Sequence, residues 1–437
     1  MGRKRQRAEL FVFMNGERVG LLTRGSNGVL GFTYDAAWIA SESSRPLSLS
    51  MPLAAQTYSG NTVENFFDNL LPDSQPIRNR IQRRFGADTN RCFDLLWHLG
   101  RDCVGALQIL PEDAHPEVKK VEAVPLTDAE IADTLKNYQS MPLGMRQDSE
   151  FRISIAGAQE KAAFLKLGEK WFRPVGTTPT THIFKLPIGR IEHSGMDLSD
   201  SVENEWLCHA ILKFFDVSVA NAEIMYFDGV KVLVVERFDR RWAADKSWLV
   251  RLPQEDMCQA LNVSPALKYE SDGGPGIERI MQVLLGSDSA LEDRKTFMNQ
   301  VFLFWMLGAI DGHAKNFSIF LLPDGAFRLT PAYDIMSAYP LVAKGQLDQR
   351  RMTMAMSLRA ANQHYKWEQM CFRHWLATSR TCNFPEREMK NIVDMLVERL
   401  EEGISEVQAR LPRGFPESVA APVFDGLRLA KDRIRQE

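Results

Sequence analysis

The stretch AIDGHAKNFSIF, residues 309–320, places an Asp, a His, a Lys and an Asn within six positions, between an apolar run and a segment that alternates like a strand. Such a turn fits a metal site, a nucleophile with its base, or a polar loop whose Asp311 and Asn316 only bond their own backbone. The residues that follow narrow the choice. FSIFLL and FRLTP alternate on either side of PDGA (residues 323–326), the pattern of a hairpin with its turn residues in place. Two strands folded back on each other bring their outer ends together, so Asn316 should lie close to Ala332, Tyr333 and Asp334. Asp311, Asn316 and Asp334 then share one small site. Oxygen donors of this kind suit a hard cation such as Mg²⁺, which takes few protein oxygens and completes its shell with phosphate and water. Zinc would want more nitrogen or sulfur, and only His313 is on offer.

An Asp, an Asn five residues later, a hairpin and a further Asp is also the order of groups in a protein-kinase catalytic loop, where the first Asp accepts the hydroxyl proton and the others hold Mg²⁺. The spacing matches and the words do not, because no HRD precedes Asp311 and YDI (residues 333–335) stands where DFG would be. Upstream, the other parts occur in kinase order. The loop Ala156, Gly157, Ala158, Gln159, Glu160, Lys161 has small residues that let backbone N–H groups approach an anion, although an ordinary hairpin loop reads the same way. Lys185 lies in the apolar strand HIFKLP, either as a phosphate lysine or as an edge lysine pointing to water. The helix after it carries Glu203 and Glu205, and either could face Lys185. Glu236, Arg237 and Phe238 close the last strand before helical sequence begins, as a connector to a nucleotide base or as a solvated charge cluster.

The rest of the chain is compatible with this order. With 437 residues, 45% hydrophobic and 25% charged, it should hold two or three folding units. A net charge of −3 announces no nucleic-acid partner, the short basic run GRKRQR aside. The longest apolar run is about half a membrane span and the N-terminus lacks the apolar core of a signal peptide, so no membrane association and a cytoplasmic location are expected. Six scattered cysteines without a CxxC pair read as buried thiols. LFVFMNGERVGLLT (residues 10–23) reads as a hairpin about Asn15-Gly16, and residues 62–86 and 93–99 carry helical spacing. Residues 110–127, rich in Pro and charge, read as a linker. Short antiparallel strands are expected from residue 151, among them FRISI, AAFLKL, KWFRPV and HIFKLP, then a helix over 201–215 and a hairpin about Asp228-Gly229. Beyond Asp239 the pattern reads as helical to the end, apart from the hairpin near 317–331. The division expected is 1–120, 121–238 and 239–437.

Longer words carry a family resemblance. FRISIAGAQEK, TTHIFKLPIG, VERFDRR, RLPQEDMCQ, KYESDGGPGI and GAIDGHAKNFSIF, with RPLSLSMPL and FFDNLLPDS nearer the N-terminus, closely resemble the HipA serine/threonine kinase toxins of bacterial toxin-antitoxin systems, over nearly the whole chain. The resemblance implies an α+β, bilobed protein-kinase-like (phosphatidylinositol-kinase-like) fold, with a β-rich N-lobe, an added N-terminal subdomain and an all-helical C-lobe. It implies ATP and Mg²⁺ as cofactors, Asp311 as catalytic base, Asn316 and Asp334 as metal ligands, and Lys185 as the phosphate lysine. Residues 156–161, Glu236 to Phe238, His313, Ala314, Lys315 and Asn316, and Tyr333, Asp334, Ile335 and Met336 would bind ATP. Ser154 matches the serine on which the family phosphorylates itself and shuts itself off; two added charges would be poorly tolerated in an apolar strand beside an anion loop. The implied substrate is glutamate-tRNA ligase, with growth arrest and persistence as the result. The implied partner is a dimeric helix-turn-helix antitoxin, HipB, which carries the kinase to operator DNA as a co-repressor. Arg380 stands where the family touches DNA, but Asn383 occupies a place where a second basic residue is expected, so antitoxin contact is the firmer implication. A catalytically idle co-repressor and a metal-dependent hydrolase built on Asp311 and His313 are the competing readings.

Overall fold

The computed structural model describes residues 8–111, 116–140, 161–191 and 194–435. The chain opens with a five-stranded antiparallel sheet in the order Thr57–Ser59, Leu30–Tyr34, Glu17–Arg24, Glu9–Met14, Leu107–Leu110. Asn15 and Gly16 turn its first hairpin at φ 48° and 91°, the positive values that a tight turn between twisted strands requires. Helices Asn61–Asp68, Gln75–Phe85 and Cys92–Leu99 cover one face. Pro76 is tolerated in the first turn of the second helix and Gly86, at φ 63°, ends it. Phe32, Phe66, Phe67 and Phe93 are buried in the core between helices and sheet.

The second sheet has six antiparallel strands in the order Ala222–Phe227, Val230–Glu236, His182–Lys185, Lys161–Leu167, Lys170–Pro174, Ala123–Leu126. The expected linker 110–127 is thus partly strand: Ala123–Leu126 closes the sheet, and Pro125 is accommodated because an edge strand has one side without ladder bonds. The expected strand at 151–155 and the loop to Glu160 lie outside the described residues. Helix Ser201–Phe214 packs against this sheet, whose core is Phe164, Trp171, Phe184 and Phe227 on the other face.

The largest core surrounds helix Ala290–Met306, whose last turns, residues 301–306, are apolar all round because they are buried all round. Trp305 and Trp367 stack at 5.7 Å, and each indole N–H donates to the other's carbonyl at 3.2 and 2.7 Å. The apolar run 301–310 outlasts the helix; Gly308 at φ 59° turns the chain out of it and sets Asp311 in the following loop. An all-helical C-terminal part is not what the structure has. Besides the expected hairpin, Ser318–Leu321 with Phe327–Leu329, it contains Arg240–Trp242 paired with Leu249–Arg251, Gln254–Asp256 added to the hairpin as a third strand, and Thr353–Arg359 paired with Gln363–Lys366. Most of these are three or four residues long, too short for alternation to register, and Thr353–Arg359 is buried on both faces, which erases it. Among the described residues no helix is long and apolar enough to cross a membrane, and the six cysteines are buried free thiols.

Two buried polar clusters join these parts. Asp102, in the turn Gly100–Asp102, accepts hydrogen bonds from Thr180 N (3.0 Å) and Oγ1 (2.7 Å), Arg240 Nη2 (3.0 Å), Arg251 Nη2 (3.2 Å) and Arg237 Nη1 (3.4 Å). Asp239 takes the other face of Arg237 at 2.8 Å and accepts from Gly105 N. Gly105 is obligatory there: it has φ 73°, and a Cβ would stand 2.8 Å from the carbonyl oxygen of Gln254. In the second cluster Glu255 accepts from Ser48 Oγ (2.5 Å) and Leu49 N (2.8 Å). Burial pushes its carboxyl up to about 8 despite those bonds. A carboxyl raised in the folded state contributes stability below its unfolded pKa and loses it as pH climbs through the folded value. The unfolding midpoint should therefore fall between about pH 4.5 and about pH 8, and Glu255→Gln should flatten that slope, as denaturant titrations at both pH values would read.

Candidate active site

A cavity of about 620 Å³ lies between the six-stranded sheet and the turn 311–316, with the N-terminal helices on a third side. Its charged wall is built from strand register. Lys161 and Lys185 are direct partners on neighbouring antiparallel strands, so their side chains emerge on the same face. Lys185 Nζ donates to Glu205 Oε1 and to Asp334 Oδ1, both at 2.6 Å, and Lys161 Nζ stands 3.8 Å from Asp334 Oδ2. Burial alone would raise the Asp334 carboxyl, but the two ammonium groups hold it far below the usual range. Burial pulls Lys185 down, and Asp334 and Glu205 more than reverse this. Lys161, buried with one distant counter-charge, is lowered. The choice between the two glutamates is thereby settled: Glu205 faces Lys185, and Glu203 accepts from Lys231 at 2.5 Å.

The hairpin does what its pattern implied. Asn316 Nδ2 donates to the carbonyl of Asp334 at 3.1 Å, and Tyr333 Oη donates to the carbonyl of Lys315 at 2.8 Å. Asp334 has φ 62°, a left-handed conformation uncommon outside glycine. Asn316 Oδ1 is buried and accepts no hydrogen bond among the described residues, and Asn316 and Asp334 line the same cavity. An unsatisfied amide oxygen beside a carboxylate fits a hard cation. Among the described residues no three His, Cys, Asp or Glu side chains converge as a metal cage. A cation here would draw the rest of its shell from a ligand or water, as Mg²⁺ does.

Asp311 lines the same cavity, exposed, with Tyr269 Oη donating to its Oδ1 at 2.5 Å. His313 is buried against the Tyr269 ring, its Nδ1 without a hydrogen bond, and burial lowers it to about 4, so the imidazole is neutral at physiological pH. Lys315 turns its ammonium away from the sheet, donating to Asn69 Oδ1 (2.7 Å), Asn69 O (3.1 Å) and Asp256 Oδ2 (2.9 Å). Ala314 is fully buried and off the cavity wall. Glu236, Arg237, Phe238, Tyr333, Ile335 and Met336 all line the cavity. The Arg237 guanidinium points into the Asp102 and Asp239 cluster, and the Phe238 ring lies 5.8 Å from that of Tyr333. Ser154, Ala156, Gly157, Ala158, Gln159 and Glu160 lie outside the described residues. Arg380 is far along the chain on helix Phe372–Thr381, 62% exposed and 3.5 Å from Glu386, away from the cavity.

Three contributors escaped the sequence reading. Tyr269 touches Asp311 across 42 residues of chain. Asn69 and Asp73 reach the site from the N-terminal segment, Asp73 accepting from Lys268 at 3.0 Å. Lys161, by contrast, was expected in the ATP loop, and what the structure adds is that it shares Asp334 with Lys185. The words KYESDGGPGI and FFDNLLPDS contain Tyr269, Asn69 and Asp73, but no local period says that they meet residues 311–316.

Comparison with known proteins assigns the ends of the chain separately. The family described as HipA N-terminal domain matches residues 10–110, and the one described as HipA-like C-terminal domain matches residues 153–404. A protein of Sinorhizobium fredii named as a candidate kinase, Y4mE, is 35% identical over 76% of this chain and 78% of its own. The serine/threonine-protein kinase toxin HipA of Shewanella oneidensis is 28% identical over 70% of this chain and 69% of its own. The solved complex of HipA, HipB and operator DNA from Shewanella oneidensis MR-1 contains a chain that superposes with a TM-score of 0.81, covering 98% of this chain and 97% of that one at 23% identity.

Proposed function

This chain belongs to the HipA family, and from that premise we propose that it is an ATP- and Mg²⁺-dependent serine/threonine kinase acting as the toxin of a toxin-antitoxin pair. The observation that carries the reading is the convergence of Lys185, Glu205 and Asp334 on one side of the cavity with Asn316 and Asp311 on the other. In this reading the six-stranded sheet and helix Ser201–Phe214 form the N-lobe of a bilobed, phosphatidylinositol-kinase-like fold, and the segment beyond Asp239 forms the C-lobe.

Bound ATP with Mg²⁺ supplies the transferable phosphoryl group and its charge neutralisation. Asn316 Oδ1 and the Asp334 carboxylate would hold the cation, a pairing supported by an amide oxygen that no donor among the described residues satisfies. Lys185, kept charged and aimed by Glu205, meets phosphate oxygens, with Lys161 beside it. Glu236 to Phe238 present backbone and an apolar wall to the base. Asp311 takes the proton of the acceptor hydroxyl, which leaves the oxygen free to attack.

The family supports the finer assignments: glutamate-tRNA ligase as acceptor, growth arrest, autophosphorylation at Ser154 as the off switch, a HipB-type antitoxin dimer and co-repression on operator DNA in the cytoplasm. Arg380 is exposed enough for a DNA contact once it leaves Glu386. The test is incubation of the protein with labelled ATP, Mg²⁺ and glutamate-tRNA ligase, with and without chelator, followed by mapping of the labelled serines. Label is expected on Ser154 and on the ligase, and none with chelator. Release of inorganic phosphate without any phosphoprotein would replace the kinase by a hydrolase.

A further inference from the structure

We infer that Tyr269 is a positioning residue for Asp311, fixing which carboxylate oxygen faces the acceptor; the inference rests on the kinase reading for its consequence, not for its geometry. The Tyr269 hydroxyl donates to Asp311 Oδ1 at 2.5 Å, which leaves Oδ2 as the oxygen open to an incoming hydroxyl. Holding one oxygen restricts rotation of the carboxylate, and misalignment of a reacting group costs rate.

The tyrosine is itself held from every side. Its ring stands edge-on to His313 with centroids 5.1 Å apart, and Lys268 Nζ lies 5.5 Å from its ring centroid while donating to Asp73 of the N-terminal segment at 3.0 Å. Ala314 N donates to the carbonyl of Lys268 at 3.3 Å, tying this segment to the turn that carries Asp311. The Tyr269 carbonyl accepts from Asp272 N and Gly274 N at 3.1 and 2.9 Å. Only glycine fits at 274, where a Cβ would stand 2.1 Å from the carbonyl oxygen of Leu267. Glu270 anchors the far side, accepting from Ser357 N at 2.5 Å and Gln363 Nε2 at 3.2 Å. A side chain clamped this thoroughly, yet only half-buried, with its polar tip on a carboxylate in the cavity, serves the carboxylate rather than the core.

Besides Asp311, the charged groups that bear on Tyr269 are Asp73 and Asp272, and those that bear on His313 are Lys268, Asp334 and Asp73. Among the described residues, Tyr269 is the side chain that donates a hydrogen bond to Asp311.

Tyr269→Phe keeps the ring against His313 and Lys268 and removes only the hydroxyl. At a fixed pH, the ¹³C carboxyl resonance of Asp311 in the nucleotide-free full chain, assigned by its loss in Asp311→Asn, should shift in Tyr269→Phe as the hydroxyl contact is lost. With ATP and acceptor, kcat should fall about ten-fold, the effect of one lost hydrogen bond to a charged group, while KM for ATP is unchanged. An unmoved carboxyl resonance, or an unchanged kcat in an active protein, overturns the inference. A shifted resonance in a protein that transfers no phosphate supports the positioning role and overturns the kinase reading instead.

Discussion

Asp311→Asn is expected to lower phosphoryl transfer by about 10²- to 10⁴-fold, the range that a positioned general base supplies, and to abolish growth arrest with it. The amide has the shape of the carboxylate, and its oxygen can still accept from Tyr269, so the turn 311–316 keeps its form. What it cannot do is take a proton. Lys185, Glu205 and Asp334 are untouched, so nucleotide affinity should stay within a few-fold of the wild type. Transfer to acceptor in a quenched-flow assay and ATP binding by calorimetry separate these effects. A variant that transfers phosphate at the wild-type rate would remove Asp311 from the mechanism and leave the cavity as a nucleotide site only.

Asp102→Ala is expected to give the largest loss of stability, about 3–5 kcal/mol, typical of removing one partner from a buried ion cluster. The Asp102 side chain is 4% exposed and receives Arg237, Arg240 and Arg251 together with Thr180. Without it Arg237 and Arg240 are left to share the carboxylate of Asp239, and Arg251 loses its contact with Asp102. The cluster is not itself a reason for stability, since a well-packed apolar group could fill the same volume. Its loss is costly because the remaining charges stay buried. Arg237 is next to the connector residues Glu236 and Phe238, so the damage should reach the cavity as well. A urea titration of the variant, followed by intrinsic fluorescence, measures the loss; a midpoint within experimental error of the wild type would show that the cluster is rearranged without cost.

These two positions differ in how readable they were. Asp311 announced itself through its spacing to Asn316 and through a hairpin whose turn, PDGA, is local chemistry. Asp102 sits in GRDC, a word with no pattern, and its partners are 78 to 149 residues away. The same contrast runs through the site. Glu203 and Glu205 are two helical positions apart, about 200° around the axis, so one at most can face Lys185. Which one does depends on how helix Ser201–Phe214 is rotated against the sheet, and packing of the helix decides that. The short strands beyond Asp239 were missed for a related reason: three residues cannot display a period of two, and burial on both faces hides what alternation remains.

By itself the amino-acid order determined which chemical groups this protein has, their sequence along the chain, and the local turns that join them. That was enough to bring Asn316 to Asp334 and to carry the family words. The tertiary structure alone decided that Lys161 joins Lys185 on Asp334, that Glu205 is the glutamate between them, that Tyr269 holds Asp311, and that Asn69 and Asp73 brace the turn from the N-terminal segment. Each of these depends on strand register or on the angle between packed elements. A one-residue slip of the pairing between His182–Lys185 and Lys161–Leu167 would turn one lysine to the opposite face. The local composition of either strand would not change.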